Sequence, residues 1–95
     1  MDCDRIVFSG HAVQRMFERG IEAKDVERVL RHGEVVEEYP DDTPFPSCLM
    51  LKFVEGRPIH VVVAFESETR TCHVMTAYPP DPDLWDAGFK QRKSS

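Results

Sequence analysis

Apolar positions in the first third of the chain recur at helical spacing and predict two short helices. In the first, Val13, Met16 and Phe17 fall on one side of a segment that follows Ser9 and stops at Gly20. The Ser9 hydroxyl can cap the helix start, and glycine readily takes the left-handed conformation that ends a helix. We expect this apolar side to face a sheet.

The second helix follows almost at once. Val26, Val29 and Leu30 form its apolar stripe, Ile21 is spaced from Val26 as a hydrophobic staple, and Gly33 marks its end. The pattern therefore predicts a pair of helices between residues 10 and 33.

Extended, β-branched segments dominate the rest of the chain. The turns at 55–58 and 67–70 are short enough for hairpins, so the last three strands should be sequential antiparallel neighbours. The predicted class is α+β, with two N-terminal helices packed on a mainly antiparallel sheet of four to five strands. After the last strand, Trp85 and Phe89 should wrap the terminal segment onto the sheet. The predicted strands are Arg5–Phe8, Glu34–Tyr39, Cys48–Val54, Ile59–Glu66 and Thr71–Tyr78.

Chain length and the distribution of charge limit the number of domains and the surfaces that can bind an anionic partner. A chain of 95 residues suits a single domain spanning residues 1–95. The net charge is -5, but it is unevenly distributed: residues 1–33 hold six basic and six acidic residues, residues 34–88 three and eleven, and residues 89–95 three and none. An anionic partner should therefore bind the helical third or the tail.

The chain start resembles neither a secretory signal nor a membrane span, so we expect a cytoplasmic protein with no membrane role. Cys3, Cys48 and Cys72 are odd in number and widely spaced, which favours reduced thiols. No tetrahedral ligand spacing is present, so we expect neither a metal nor another cofactor.

Candidate chemistry lies first on the predicted first helix. His11, Arg15 and Arg19 are four residues apart and fall in one sector of the helix. Like charges at this spacing do not stabilise a helix, whereas a phosphate would relieve their repulsion. A solvated helix face is an equally weighted interpretation.

A histidine in an apolar strand is the second candidate. Alternation places His60 on the face of Val62 and Ala64. It is either a core histidine bonded to a carbonyl or a functional group. Thr76 and Tyr78 share a face of the last strand, where their hydroxyls are within range of a phosphate or base, although packing alone also explains them.

Several short motifs together resemble a bacterial family catalogued as a domain of unknown function, and through it the RelE and MqsR type toxins. The resemblance covers nearly the whole chain. Its motifs are His11-Ala12-x-x-Arg15-Met16-x-x-Arg19-Gly20-Ile21, Gly33-Glu34-Val35-Val36-Glu37-x-Tyr39, Pro44-x-Pro46-Ser47-Cys48-Leu49, Arg57-Pro58-x-His60-Val61-Val62 and Thr76-Ala77-Tyr78.

The resemblance implies a RelE/MqsR-like fold and a toxin-like, metal-independent endoribonuclease of a type II toxin–antitoxin pair. RNA and a small antitoxin protein, of zinc-finger type beside some members, would be its partners. Such cleavage needs a base, an acid and cations. His11 and His60 would exchange protons, with Arg15 also at the catalytic centre.

The remaining roles follow from the same resemblance. RNA phosphate and bases would meet Arg15, Arg19, Thr76 and Tyr78, in a cleft between the first helix and the sheet. Two alternatives use no catalysis: a protein-binding module that docks an acidic partner on the same stripe, and a homodimeric scaffold joined through an exposed strand edge.

Overall fold

A computed structural model describes residues 1–94 and contains two helices and five strands. The helices are α1 (Gly10–Arg19) and α2 (Ala23–His32). They pack on a mostly antiparallel sheet, which confirms the predicted α+β class. The strands are β1 (Arg5–Phe8), β2 (Glu34–Tyr39), β3 (Ser47–Val54), β4 (Arg57–Glu66) and β5 (Thr71–Tyr78).

The sheet has the order β1-β5-β4-β3-β2. Strands β3, β4 and β5 are sequential antiparallel neighbours, as the short turns predicted. The first strand differs, because β1 pairs in parallel with β5, from Arg5 opposite Thr71 to Phe8 opposite Val74. The two helices carry the chain from β1 to β2 at the opposite edge of the sheet, and β3 and β4 then lead back to β5 beside β1.

Helix α1 begins and ends at the predicted caps. The Ser9 hydroxyl accepts from the Ala12 N–H at 3.0 Å, and Gly20 has φ 65°. The predicted apolar face was wrong in part: Val13 is 54% exposed and Phe17 88% exposed. The helix packs on β5 near one margin of the sheet, so only a narrow row of its side chains is covered, Ala12 and Met16.

Helix α2 packs on β3 and β4 through the predicted stripe. Val26, Val29 and Leu30 are fully buried. Gly33 follows the helix at a point of close approach: a Cβ there would lie 2.5 Å from the Val29 carbonyl oxygen and 2.8 Å from that of Leu51. No larger residue fits between the end of α2 and β3.

The two faces of the sheet have different covers. Ile59, Val61 and Val63 of β4 pack with the helices in the main core. Intervening residues point to the opposite face. There the segment after β5 lies over the strands, with Trp85 3% exposed, as predicted for the terminal segment.

The prediction of reduced cysteines was wrong for two of the three. Cys3 and Cys72 form a disulfide with their Cα atoms 5.7 Å apart, and Cys48 is free and buried. They are 69 residues apart in sequence. They meet because the parallel pairing of β1 brings the start of the chain beside β5, which the cysteine spacing alone does not reveal.

Neither helix in the described part of the chain is long and apolar enough to cross a membrane.

Candidate functional site

The basic stripe on α1 consists of His11, Arg15 and Arg19. His11 and Arg19 are exposed, and Arg15 is half-buried. The stripe lies on one flank of the buried row, and the exposed Val13 and Phe17 lie on the other. Arg15 has a partly exposed ion pair with Glu18, Nη1 to Oε2 at 3.6 Å. An anion can therefore reach the stripe from solvent.

Tyr78 lies at the end of β5, on the sheet face turned away from α1. Burial raises the pKa of the Tyr78 phenol, while the nearby guanidiniums of Arg92 and Arg19 act in the opposite direction. The phenol thus stays protonated at neutral pH and can donate a hydrogen bond. Thr76 lies on the same face of the sheet, since it is opposite Val62 and Tyr78 is opposite His60.

His60 shares a sheet face with Val62 and Ala64, as alternation predicted. This face is turned away from the helices, whereas the resemblance implied that His60 faces α1. It is fully buried. Its ring meets Trp85 edge-on with the centroids 4.6 Å apart, and Tyr78 at 5.5 Å. The imidazole is therefore surrounded by aromatic side chains and the terminal segment.

One hydrogen bond fixes the tautomer of His60. Nε2 lies 2.8 Å from the Phe89 carbonyl oxygen. A carbonyl only accepts, so Nε2 carries the proton and Nδ1 the lone pair. Nδ1 is buried and has no hydrogen-bond partner in the described residues. Burial, the largest influence, lowers the pKa of His60, so the ring is neutral at pH 7.

The predicted site residues divide into two groups. The structure brings Tyr78 against His60, with Thr76 on the same sheet face, and leaves the α1 stripe on the other face. It does not bring His11 and His60 together, because His11 is exposed on the helix and His60 is buried on the opposite face of the sheet. The expected cleft with His60 facing α1 is thus absent from the described residues.

Sequence reasoning missed a cluster on the same sheet face, built around Arg92. Its guanidinium lies 4.6 Å from the Trp85 ring centroid, and its Nε is 3.4 Å from Glu37 Oε1. Glu37 Oε2 also accepts from the Tyr39 hydroxyl at 2.6 Å, which raises the pKa of Tyr39. The available signal was the basic tail facing an acidic strand.

The predicted site presents guanidinium, hydroxyl and imidazole groups. Within residues 1–94, no group of three or more His, Cys, Asp or Glu side chains is arranged to hold a metal ion.

Comparison with known proteins identifies one family. The family model described as "Domain of unknown function (DUF4258)" matches residues 8–79, from the end of β1 to the residue after β5. No curated protein and no solved structure matches the chain. The match spans α1, α2 and the four antiparallel strands and stops before Trp85. The chain is a member of the DUF4258 family.

Proposed function

We propose that the protein binds RNA along the α1 stripe and acts as a toxin-like, metal-independent endoribonuclease of a type II toxin–antitoxin pair. The observation that carries this proposal is an accessible row of cationic side chains on α1, in a chain whose sheet region, residues 34–88, is strongly acidic. A phosphate backbone is attracted to that row and repelled from most of the remaining surface.

Each residue of the site has a role in this proposal. Arg15 and Arg19 bind phosphate oxygens, because guanidinium geometry matches them. Thr76 and Tyr78 project from the sheet face turned away from α1, so in this proposal they contact the RNA where it passes around the edge of β5 that β1 leaves uncovered. Tyr78 also offers a ring on which a base can stack. His11, the exposed histidine of the stripe, exchanges protons with the reacting 2′-hydroxyl or leaving oxygen.

His60 takes a different role from the one expected of it. Its ring is fully buried and bonded to the Phe89 carbonyl, so it does not contact RNA directly in this arrangement. The proposal makes it a positioning residue, whose edge contact orients Tyr78. The antitoxin partner and the relationship to RelE and MqsR type toxins are also part of this proposal, and they rest on the sequence resemblance alone.

The test is RNA cleavage by the purified chain, paired with growth of bacteria that express it without a partner. His11→Ala should slow cleavage by about a hundredfold or more and restore growth. Arg15→Ala and Arg19→Ala should weaken RNA binding. Arg31→Ala, which removes an exposed arginine from the last turn of α2, is the matched control and should leave both assays unchanged.

Melting temperature separates function from folding. Every variant in this set changes an exposed or half-buried side chain, so all should melt near the wild-type temperature. If the wild-type chain neither binds nor cleaves RNA, the proposal is wrong. If Arg31→Ala lost as much RNA binding and cleavage as the stripe variants, the stripe would have no specific role and the effect would be one of net charge alone.

A protein-binding module is the second candidate, and one observation favours it. Val13 and Phe17 form an exposed apolar pair on the flank of α1 opposite the basic stripe. Adjacent exposed apolar side chains are typical of protein interaction sites. Phe17→Ser distinguishes the candidates, because it removes an apolar contact without changing charge: RNA binding should be unaffected, and partner docking should be lost.

A further inference from the structure

Strand β2 is one of the two edge strands of the sheet, at the end opposite β1. It pairs with β3 on one side, and no strand of the described chain pairs with its other side. The pairing with β3 is irregular between Val35 and Glu37, so the regular part of the edge is Glu37–Tyr39. An open edge presents unpaired N–H and C=O groups to any extended chain that approaches it.

Two clefts flank this part of the edge, one on each face of the sheet. A cleft of about 560 Å³ is lined by Tyr39, Asp41, Asp42 and Val62. A second cleft, of about 300 Å³, is lined by Val35, Cys48, Val63 and Phe65. Val62 and Val63 are consecutive in β4, so their side chains point to opposite faces.

The two clefts differ in chemistry. The first holds two carboxylates, of which Asp42 is fixed by bonds from the Ser47 hydroxyl at 2.7 Å and the Thr43 N–H at 3.0 Å. The second is mainly apolar. Successive side chains of a strand alternate between faces, so a strand laid along β2 would place one residue in each cleft.

The charge of the edge indicates which kind of strand fits. Glu34, Glu37 and Glu38 lie on β2, and Asp41 follows it. The chain's own tail already shows this edge accepting cations: Lys90 Nζ is 3.1 Å from Glu34 Oε1, and Arg92 pairs with Glu37. Glu38 and Asp41 have no ion pair within residues 1–94.

A second copy of the chain is a poor occupant. Two β2 strands side by side would bring their glutamates together, and like charges across a strand pair are destabilising. The irregularity after Val35 also shortens the surface available to an identical strand. Such features protect an edge against self-pairing while leaving it open to a strand of opposite charge.

We propose that β2 is a docking edge for an extended, basic segment of another protein. The segment adds as a sixth strand, with backbone hydrogen bonds to Glu37–Tyr39. Its apolar side chains enter the cleft of Val63 and Phe65, and a lysine or arginine enters the cleft of Asp41 and Asp42. This docking edge lies across the sheet from α1 and is independent of the proposed RNA function.

The test uses the isotopically labelled full chain and a synthetic six-residue peptide of alternating lysine and valine. Nuclear magnetic resonance should show shifts concentrated in residues 35–42, with slower exchange of the edge amides. A second peptide of the same sequence, methylated on alternate backbone nitrogens, keeps the charge but cannot pair as a strand. It should bind at least about tenfold more weakly.

A variant of two acidic residues tests whether charge selects the docked strand. Glu38→Lys with Asp41→Lys changes two exposed residues and should weaken binding of the lysine–valine peptide by about tenfold or more, with an unchanged melting temperature. Equal binding of the methylated peptide would show simple charge attraction and overturn the proposal. Shifts centred on α1, or none in β2 at millimolar peptide, would also overturn it, whether or not the chain binds RNA.

Discussion

His60 is a neutral imidazole held in a fixed tautomer beneath the terminal segment. Full burial favours the uncharged ring, and the Nε2–H of the ring donates its hydrogen bond to the Phe89 carbonyl oxygen. Protonation would place a charge among Trp85 and Tyr78, where Arg92 also opposes it and Glu37 acts in the opposite direction. Protonation of His60 at low pH should therefore lower the free energy of unfolding.

The pH dependence of unfolding should reveal this link. The folded pKa of His60 lies below its ordinary value of 6.5, so the unfolded chain binds the proton first. Its contribution to stability is complete above about pH 6.5 and is lost as the pH falls through that value toward the folded pKa. We expect the wild-type free energy of unfolding to decrease between about pH 7.5 and 5.5.

His60→Gln is the matched variant, since its amide N–H can still donate to the Phe89 carbonyl but does not titrate. Urea unfolding at both pH values should show a smaller decrease for His60→Gln than for wild type. Parallel decreases would mean that other groups, and not His60, set the pH dependence.

For single residues, the sequence predicted which face of the sheet a side chain lies on better than it predicted which side chains surround it. Alternation correctly placed His60 with Val62 and Ala64, but it could not show that Trp85 and Phe89 would cover the ring. The cover comes from a segment some 25 residues away with no regular periodicity. Contacts of that kind depend on tertiary packing rather than local pattern.

The two helices are joined by an arginine from β4. Arg57 donates to the carbonyl oxygens of Gly20 at 3.2 Å and Arg19 at 3.5 Å, where α1 ends with unpaired acceptors. The same guanidinium lies 3.6 Å from the carboxylate of Asp25, in the first turn of α2. One side chain thus connects the end of α1, the start of α2 and the sheet.

Arg57→Ala should lower the free energy of unfolding by about 1–2 kcal/mol, since it removes a donor from the helix-terminal carbonyls and leaves the largely buried Asp25 carboxylate with the Glu22 N–H but no cation. Urea denaturation would measure the loss. The control is Arg28→Ala, whose pair with Glu55 is 47% and 82% exposed and should contribute no more than about 0.5 kcal/mol. Equal effects would remove any special role for Arg57.

Helix boundaries followed from local signals, because caps and glycines act within one turn. The buried face of α1 did not. Hydrophobicity favoured Val13, Met16 and Phe17 for the core, yet of these three only Met16 is buried, together with Ala12. A sequence period identifies an amphipathic side, whereas the neighbouring strand determines which row of that side is covered.

At the scale of the whole molecule, two contacts join the start of the chain to the last strand. They are the β1–β5 pairing and the Cys3–Cys72 disulfide. Both contacts span most of the sequence, which is why spacing arguments failed there. A crosslink over 69 residues restricts the unfolded chain strongly.

Removing the crosslink should therefore destabilise the fold, by about 4 kcal/mol in the loop-entropy treatment. Cys3→Ser should melt at the temperature of dithiothreitol-treated wild type, below that of the oxidised protein. Cys48→Ser, which changes a buried cysteine outside the disulfide, should keep its sensitivity to dithiothreitol. Identical melting of oxidised and reduced wild type would contradict the prediction.

Charge is also organised across the whole molecule, with the basic stripe on α1 near one margin of the sheet and the acidic edge β2 at the other. If RNA binds the stripe, binding should weaken as salt rises, because each neutralised phosphate releases a counterion. For single-stranded RNA the slope of log K against log salt is about −0.7 per phosphate contact.

Arg19→Ala should therefore flatten the slope by about 0.7, measured by fluorescence anisotropy from about 50 to 200 mM salt. Arg31→Ala removes the same net charge from the other helix and should leave the slope at the wild-type value. Identical slopes for all three proteins would place the phosphate contacts away from α1.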